Sequence, residues 1–168
     1  GEKTEQNILQ GIGFVKRSAG RWLLGDVYPF VEKLTGELKN TSFIKDAVAA
    51  GSIRRMKETI GDVDILVTTS KPEKAIDYFL SLVKYNKIWG RGPTKVSVHT
   101  AQGFDIDIRV LPEEIFGAGL QYFTGSKEHN VKLTTRAQSM DMKLTANGLI
   151  DNKTGKILAT SEKDIFKI

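Results

Sequence analysis

Four aspartates fall in two short alternating runs, Asp62 and Asp64 in "GDVDILV" and Asp105 and Asp107 in "FDIDIRV". In a strand, successive side chains point to opposite faces, so Val63, Ile65 and Val67 share one face while Asp62 and Asp64 share the other. The second run repeats this, with Phe104, Ile106, Ile108 and Val110 opposite Asp105, Asp107 and Arg109. If the two strands are neighbours, three or four carboxylates crowd one surface. Crowded carboxylates raise one another's pKa, and burying them is costly unless a cation meets them. Hard divalent cations resolve that conflict, and Mg²⁺ completes its shell with water and phosphate oxygens. The chemistry indicated is two-metal phosphoryl transfer, with two Mg²⁺ ions as cofactor and Mn²⁺ able to substitute. A single such strand is more often the solvated face of an ordinary sheet, its carboxylates paired with Arg54, Arg55 or Arg109. Two of them, with a Gly-Ser upstream of the first, favour the catalytic reading.

That Gly-Ser is Gly51-Ser52, in "GSIRRMKETIGDVDILV". A glycine at a strand end admits close backbone approach, and a serine where a helix starts offers an N–H and a hydroxyl to an anion. Arg55 follows with a planar fork that suits phosphate oxygens.

The elements that must position these groups read as a mixed α/β pattern. Ile8, Ile12 and Val15 mark a short helix from Thr4 to about Lys16, and Ser18 to Gly20 breaks it. Leu24, Val27, Val31, Leu34 and Leu38 form one helical stripe that ends at Asn40 and Thr41. Strands are expected at Asp46 to Ala50, Asp62 to Thr68, Lys95 to Thr100 and Phe104 to Leu111, with another near Asn86 to Gly90. Ser70 is expected to cap a helix that has Pro72 in its first turn and Ile76, Phe79, Leu80 and Val83 on its buried face. Beyond Pro112 the chain turns more helical, with a basic helix from about Lys127 to Met140. A hairpin or small sheet follows in "LTANGLIDNKTGKIL", then a last helix capped at Ser161. The fold class is α+β, with a boundary between Gly117 and Gly125. His99 and His129 have no partner set that argues for a ligand, and Trp22 and Trp89 read as packing residues.

The 168 residues are 40% hydrophobic and 27% charged, enough for a core without staples, and no cysteine supports a disulfide or thiolate metal site. No apolar run reaches membrane-spanning length, and no leader precedes Gly1, so a cytoplasmic protein with no membrane partner is expected. The net charge of +5 fits a polyanionic partner.

"GSIRRMKETIGDVDILV", "DIDIRV" and "LQYFTGSKEHN" together resemble the family X DNA polymerases, the polymerase β-like branch of the nucleotidyltransferases, and among them the bacterial and archaeal members. The resemblance implies the helical end of a fingers segment over 1–39, a nucleotidyltransferase palm with a mixed sheet flanked by helices over 40–116, and a thumb-like, nucleotide-selecting α+β domain over 117–168. It implies that Asp62, Asp64 and Asp107 bind the metals, with Asp107 beside the primer 3'-hydroxyl as its proton acceptor. Gly51, Ser52, Arg55 and Gly61 would hold the triphosphate, and Arg109 would gate the site through Asp64. Tyr122, Phe123 and Gly125 would line the sugar of the incoming nucleotide, and Asn130 would reach its base. Lys95, Lys127, Lys132 and Arg136 would contact DNA, and Gly125-Ser126 is a candidate cis bond. The implied function is template-directed addition of dNTPs to a primer in gap-filling repair, by a monomer acting on primer-template or gapped DNA. The alternatives are a template-independent nucleotidyltransferase acting on a small molecule or RNA end, and a catalytically weak module that binds gapped DNA.

Three departures from the family pattern stand out. Asp105 replaces a polar or basic residue and is expected to perturb the metal site or hold a cation itself. Thr134 stands where an arginine would touch the template, and "TANG" at Thr145 to Gly148 replaces "NEYG". Gly1 falls inside a familiar motif without a Met, so a trimmed piece of a longer polymerase is expected.

Overall fold

The computed structural model describes Thr4 and residues 20–167. Beyond Thr4, the first expected helix lies outside the described residues. After the turn at Gly20, the ribbon strand β1 (Trp22–Leu23) runs into helix α1 (Leu24–Lys39), whose stripe Val27, Val31, Leu34 and Leu38 is buried. Strand β2 (Asp46–Ala49) then leads into a single helical turn, α2 (Gly51–Arg54). Next come β3 (Thr59–Ile60), which pairs with β1, and β4 (Asp62–Thr68). Helix α3 (Pro72–Leu82) crosses to β5 (Tyr85–Gly92), followed by β6 (Lys95–Thr100) and β7 (Asp105–Leu111).

The expected Ser70 cap is not formed: Lys71 is the N-cap and makes no side-chain cap bond. Two other features define this start. Pro72 sits in the first turn, and the neighbouring Thr69 hydroxyl donates to Phe43 O and accepts from Lys71 N at 3.0 Å.

The principal sheet has the order β2-β4-β7-β6-β5, and β4 and β7 are its one parallel pair. One face of the sheet is the core. Val63, Ile65, Val67, Val96, Val98, Ile106 and Ile108 are fully buried there and join α1 and α3 in one apolar cluster. The other face carries the aspartates, because period two leaves them no alternative once the valines and isoleucines are buried.

Past Pro112, a 3-10 turn (Glu113–Ile115) leads into α4 (Phe116–Thr124) and α5 (Lys127–Ser139). The three antiparallel strands β8 (Met142–Thr145), β9 (Gly148–Asp151) and β10 (Ile157–Ala159) follow, and α6 (Glu162–Ile165) is capped by the Ser161 hydroxyl accepting from Asp164 N. A separate small cluster of Ala118, Ala137, Leu144, Leu149 and Ile165 holds this part together. The whole is α+β, a mixed sheet flanked by helices. Among the described residues, no helix is long and apolar enough to cross a membrane.

Phe79 is the largest fully buried side chain and stands on α3, in the cluster that covers the sheet. Phe79→Ala is expected to lower stability by about 3–5 kcal/mol. Urea unfolding should show this as a fall in midpoint at unchanged slope; a loss under 1 kcal/mol would contradict the assigned core.

Candidate active site

The parallel pairing of β4 with β7 sets Asp62 opposite Asp105 and Asp64 opposite Asp107. Paired residues of neighbouring strands point the same way, so all four carboxylates rise from one face. Asp64, Asp105 and Asp107 are half-buried, and Asp62 is exposed. Burial first, then the carboxylates of Asp62 and Asp107, push the pKa of Asp64 up to about 6, against the pull of Arg109 and Arg55.

Two features bring α2 against this carboxylate. Ala50 N donates to Asp64 O at 2.8 Å, fixing the start of the turn to β4. Gly51 has φ +58°, and a Cβ placed on it would lie 2.6 Å from Asp64 Oδ2. Both the backbone angle and the contact require glycine.

Asp107 accepts from the Ser97 hydroxyl on β6, and Arg109 Nη2 lies 3.8 Å from its Oδ2. Arg109, which the resemblance implied would act through Asp64, lies close enough to lower the pKa of that carboxylate, and its ion pair in this structure is with Asp107, two residues away on the same strand. The Arg109 guanidinium also stacks over the Phe123 ring at 4.9 Å, joining β7 to α4.

Asp105 departs from expectation too. It is held by Trp89 Nε1, which donates to Oδ1 at 3.0 Å, and by His99 Nδ1 at 2.7 Å from the same oxygen. It is tied toward the sheet edge, and Trp89 and His99, read as packing or surface residues, are its partners.

A cavity of about 800 Å³ opens between α2 and the helices α4 and α5. It gathers Gly51, Ser52, Arg55, Gly61, Asp62 and Asp64 from one side. Tyr122, Phe123, Gly125, Lys127 and Asn130 line the other. Asp107 and Arg109 are not among its lining residues. Arg55 donates from Nη1 to the Thr124 carbonyl, which ties the two sides together, and the Gly125-Ser126 bond is cis. The Asn130 amide is engaged within the protein: Oδ1 accepts from Gln121 at 3.1 Å and Nδ2 donates to Tyr122 O at 2.7 Å. Those two bonds leave one N–H and one lone pair for a base. Thr134 lines the same cavity, while Lys95, Lys132 and Arg136 are exposed beyond it.

Arg21 was missed from sequence, and Arg54, read there only as a possible partner of the sheet carboxylates, pairs elsewhere. Arg21 lines the cavity, oriented by Nε donating to Thr59 Oγ1 at 3.0 Å and Nη2 donating to Thr59 O at 2.7 Å. Arg54 reaches across to Glu162 with two bonds of 2.6 and 2.8 Å and also donates to Thr124 Oγ1 at 2.7 Å. No sequence signal marks Arg21, which precedes the recognised motif, or the partner of Arg54, which lies 108 residues away.

The donor set suits a hard cation, because Asp62, Asp64 and Asp107 supply only carboxylate oxygens. They do not close into a ready-made cage: among the described residues, no group of three acidic, histidine or cysteine side chains is arranged to hold an ion. Asp107 is drawn aside by Ser97 and Arg109, and Asp62 is exposed. An anion also fits the cavity, since the Nε of Arg55 is buried and has no acceptor in the structure.

Residues 119–168 match the family model described as DNA polymerase beta thumb. The chain is 30% identical over 169 residues to the DNA polymerase/3'-5' exonuclease PolX of Bacillus subtilis (strain 168), covering 99% of this chain and 30% of that protein. It is 28% identical over 150 residues to DNA polymerase lambda of Rattus norvegicus, covering 72% of this chain and 26% of the relative. With DNA polymerase lambda of Arabidopsis thaliana it shares 30% identity over 152 residues, covering 71% and 29%. All three relatives are DNA polymerases by name. These likenesses identify the chain's family as the family X DNA polymerases. The chain spans no more than 30% of the length of these curated relatives.

The raised pKa of Asp64 predicts a stability effect with a definite sign. The folded-state value lies above the ordinary 3.8, so ionisation opposes folding. That cost is absent below about pH 4, grows through the interval and is complete above about pH 6. Asp64→Asn removes it and is expected to stabilise the metal-free protein at pH 8 by at most about 3 kcal/mol. The gain should fade by pH 4.5. Urea denaturation at both pH values decides this, and an Asn variant less stable than the parent at pH 8 would contradict the assigned repulsion.

Proposed function

We propose that this chain is the catalytic segment of a template-directed DNA polymerase that adds dNTPs to a primer 3'-hydroxyl in gap-filling repair. The observation that carries the proposal is the parallel register that sets Asp64 beside Asp107, next to a cavity lined by Ser52 and Arg55. Family X kinship and a matching thumb segment support a DNA substrate.

Asp62, Asp64 and Asp107 are the residues that would hold two Mg²⁺ ions. When bound, such ions neutralise charge on the triphosphate and on the transferring phosphoryl group. The protein's own groups do the rest by positioning. Gly51 lets the backbone approach, Ser52 offers a hydroxyl and an N–H, and Arg55, Arg21 and Gly61 face the triphosphate. Tyr122, Phe123 and Gly125 pack against the sugar, with Asn130 directed to the base edge. Arg109 orients Asp107 from below and braces Phe123, so nucleotide binding and the aspartate that accepts the primer hydroxyl proton are linked through one side chain. Lys95, Lys127, Lys132 and Arg136 supply cations to the DNA backbone.

The test is a gapped duplex offered with all four dNTPs and Mg²⁺, with products read by length. Extension should follow the template base. Asp107→Asn should lower incorporation by about a thousandfold or more while gapped-DNA affinity stays within about twofold. Turnover equal to that of the parent would refute the role given to Asp107, and extension indifferent to the template would favour a template-independent transferase.

A further inference from the structure

The aspartate face does not stop at Asp107. Register carries it outward, Ser97 opposite Asp107 and His99 opposite Asp105 on β6, then Lys87 opposite His99 on the edge strand β5. Between Ile88 and Gly90 the β5–β6 register shifts, leaving Trp89 in an irregular step of the strand. Such a step re-aims a side chain, and the Trp89 indole is turned onto this same face, where it donates to Asp105. It meets His99 edge-on at 6.0 Å, and the Lys87 ammonium lies 4.2 Å from the centre of its ring. Trp89 is nevertheless 54% exposed. An exposed tryptophan held by a hydrogen bond, an edge contact and a cation is a rigid ledge rather than a core residue.

We propose that this ledge, Trp89 with Lys87, binds the sugar-phosphate backbone of the primer strand upstream of its 3' end; this rests on the polymerase reading above. Charge and continuity select that occupant. Asp105 Oδ1 is occupied by Trp89 Nε1 and His99 Nδ1, so that carboxylate oxygen is turned to the indole and imidazole. Lys87, held over the ring, and Lys95, on the same face opposite Arg109, present positive charge beside it. Neighbouring strands lie about 4.8 Å apart, so β5 stands roughly 10 Å from the Asp107 strand. One DNA strand rises about 3.4 Å per nucleotide, which places the ledge about three nucleotides behind the reacting hydroxyl. Trp89 packs against deoxyribose, and the Lys87 ammonium meets the adjoining phosphate.

The experiment uses a fluorescent gapped duplex in which single primer linkages, one to six from the 3' end, are replaced by uncharged methylphosphonates, with template-strand replacements as controls. The parent protein should lose about fivefold or more in affinity when a linkage two to four positions back is neutralised. Lys87→Ala should bind the unmodified duplex correspondingly more weakly, lose its sensitivity at those linkages, and show a salt slope reduced by about one. Trp89→Ala should show the same positional loss at an unchanged melting temperature, because the side chain is exposed. A parent protein that extends the primer yet is indifferent to every primer linkage, or is sensitive only to template linkages, overturns the ledge while leaving the polymerase reading intact. So does a Lys87→Ala variant that keeps the positional sensitivity. A parent protein that neither binds nor extends the duplex overturns both.

Discussion

The constraint on which the rest of this structure depends is the in-register parallel contact between two strands that each carry an aspartate pair. Burying Val63, Ile65, Ile106 and Ile108 on one face forces the carboxylates onto the other, opposite one another. Like charges so placed repel, and the elevated pKa of Asp64 comes first from burial and then from that repulsion. A fold selected for stability alone would not keep the arrangement. It makes sense as a surface that awaits positive charge.

The surrounding residues limit the conflict without cancelling it. Arg109 sits 3.8 Å from Asp107, while Arg55 and Arg109 both lower the pKa of Asp64. Neither arginine closes a tight ion pair with Asp64, which leaves that carboxylate open to a ligand. The same two cations, together with Arg54, bind the two apolar clusters to each other: Arg55 to the Thr124 carbonyl, Arg109 to Phe123, and Arg54 to Glu162 in a bidentate fork. Groups that tune the carboxylates thus also set the distance across the cavity. The geometry of that cavity depends on side chains contributed from α2 and β7 as much as on the helices that form its far wall.

Much of this was legible from residue order. Alternation in "DVDILV" and "DIDIRV" disclosed which face each aspartate takes, because period two is a local property of the backbone. Gly51 was legible as a strand-end glycine that admits close backbone approach, but that it passes against the Asp64 carboxylate was not. Strand order was not legible either, since nothing in the chain says that β4 and β7 adjoin while β5 lies at the edge. Partner choice was lost wherever it depends on that order. Asp105 read as a stray ligand until β6 and β5 supplied His99 and Trp89, and the contact of Arg109 with Asp107 on its own strand was not read beside its influence on Asp64. The Arg54–Glu162 contact spans most of the chain and leaves no trace in spacing. The Ser70 cap failed on a smaller scale, through the start defined by Pro72 and the Thr69 hydroxyl.

On the proposed polymerase reading, Asp62, Asp64 and Asp107 share divalent ions although their carboxylates are not drawn together beforehand. Anomalous diffraction from crystals of this chain with gapped DNA, a non-hydrolysable dNTP analogue and Mn²⁺ tests it most directly. Two manganese peaks are expected beside oxygens of these three side chains, with Asp107 released from Ser97. Manganese bound elsewhere, or bound without touching Asp107, would contradict that reading.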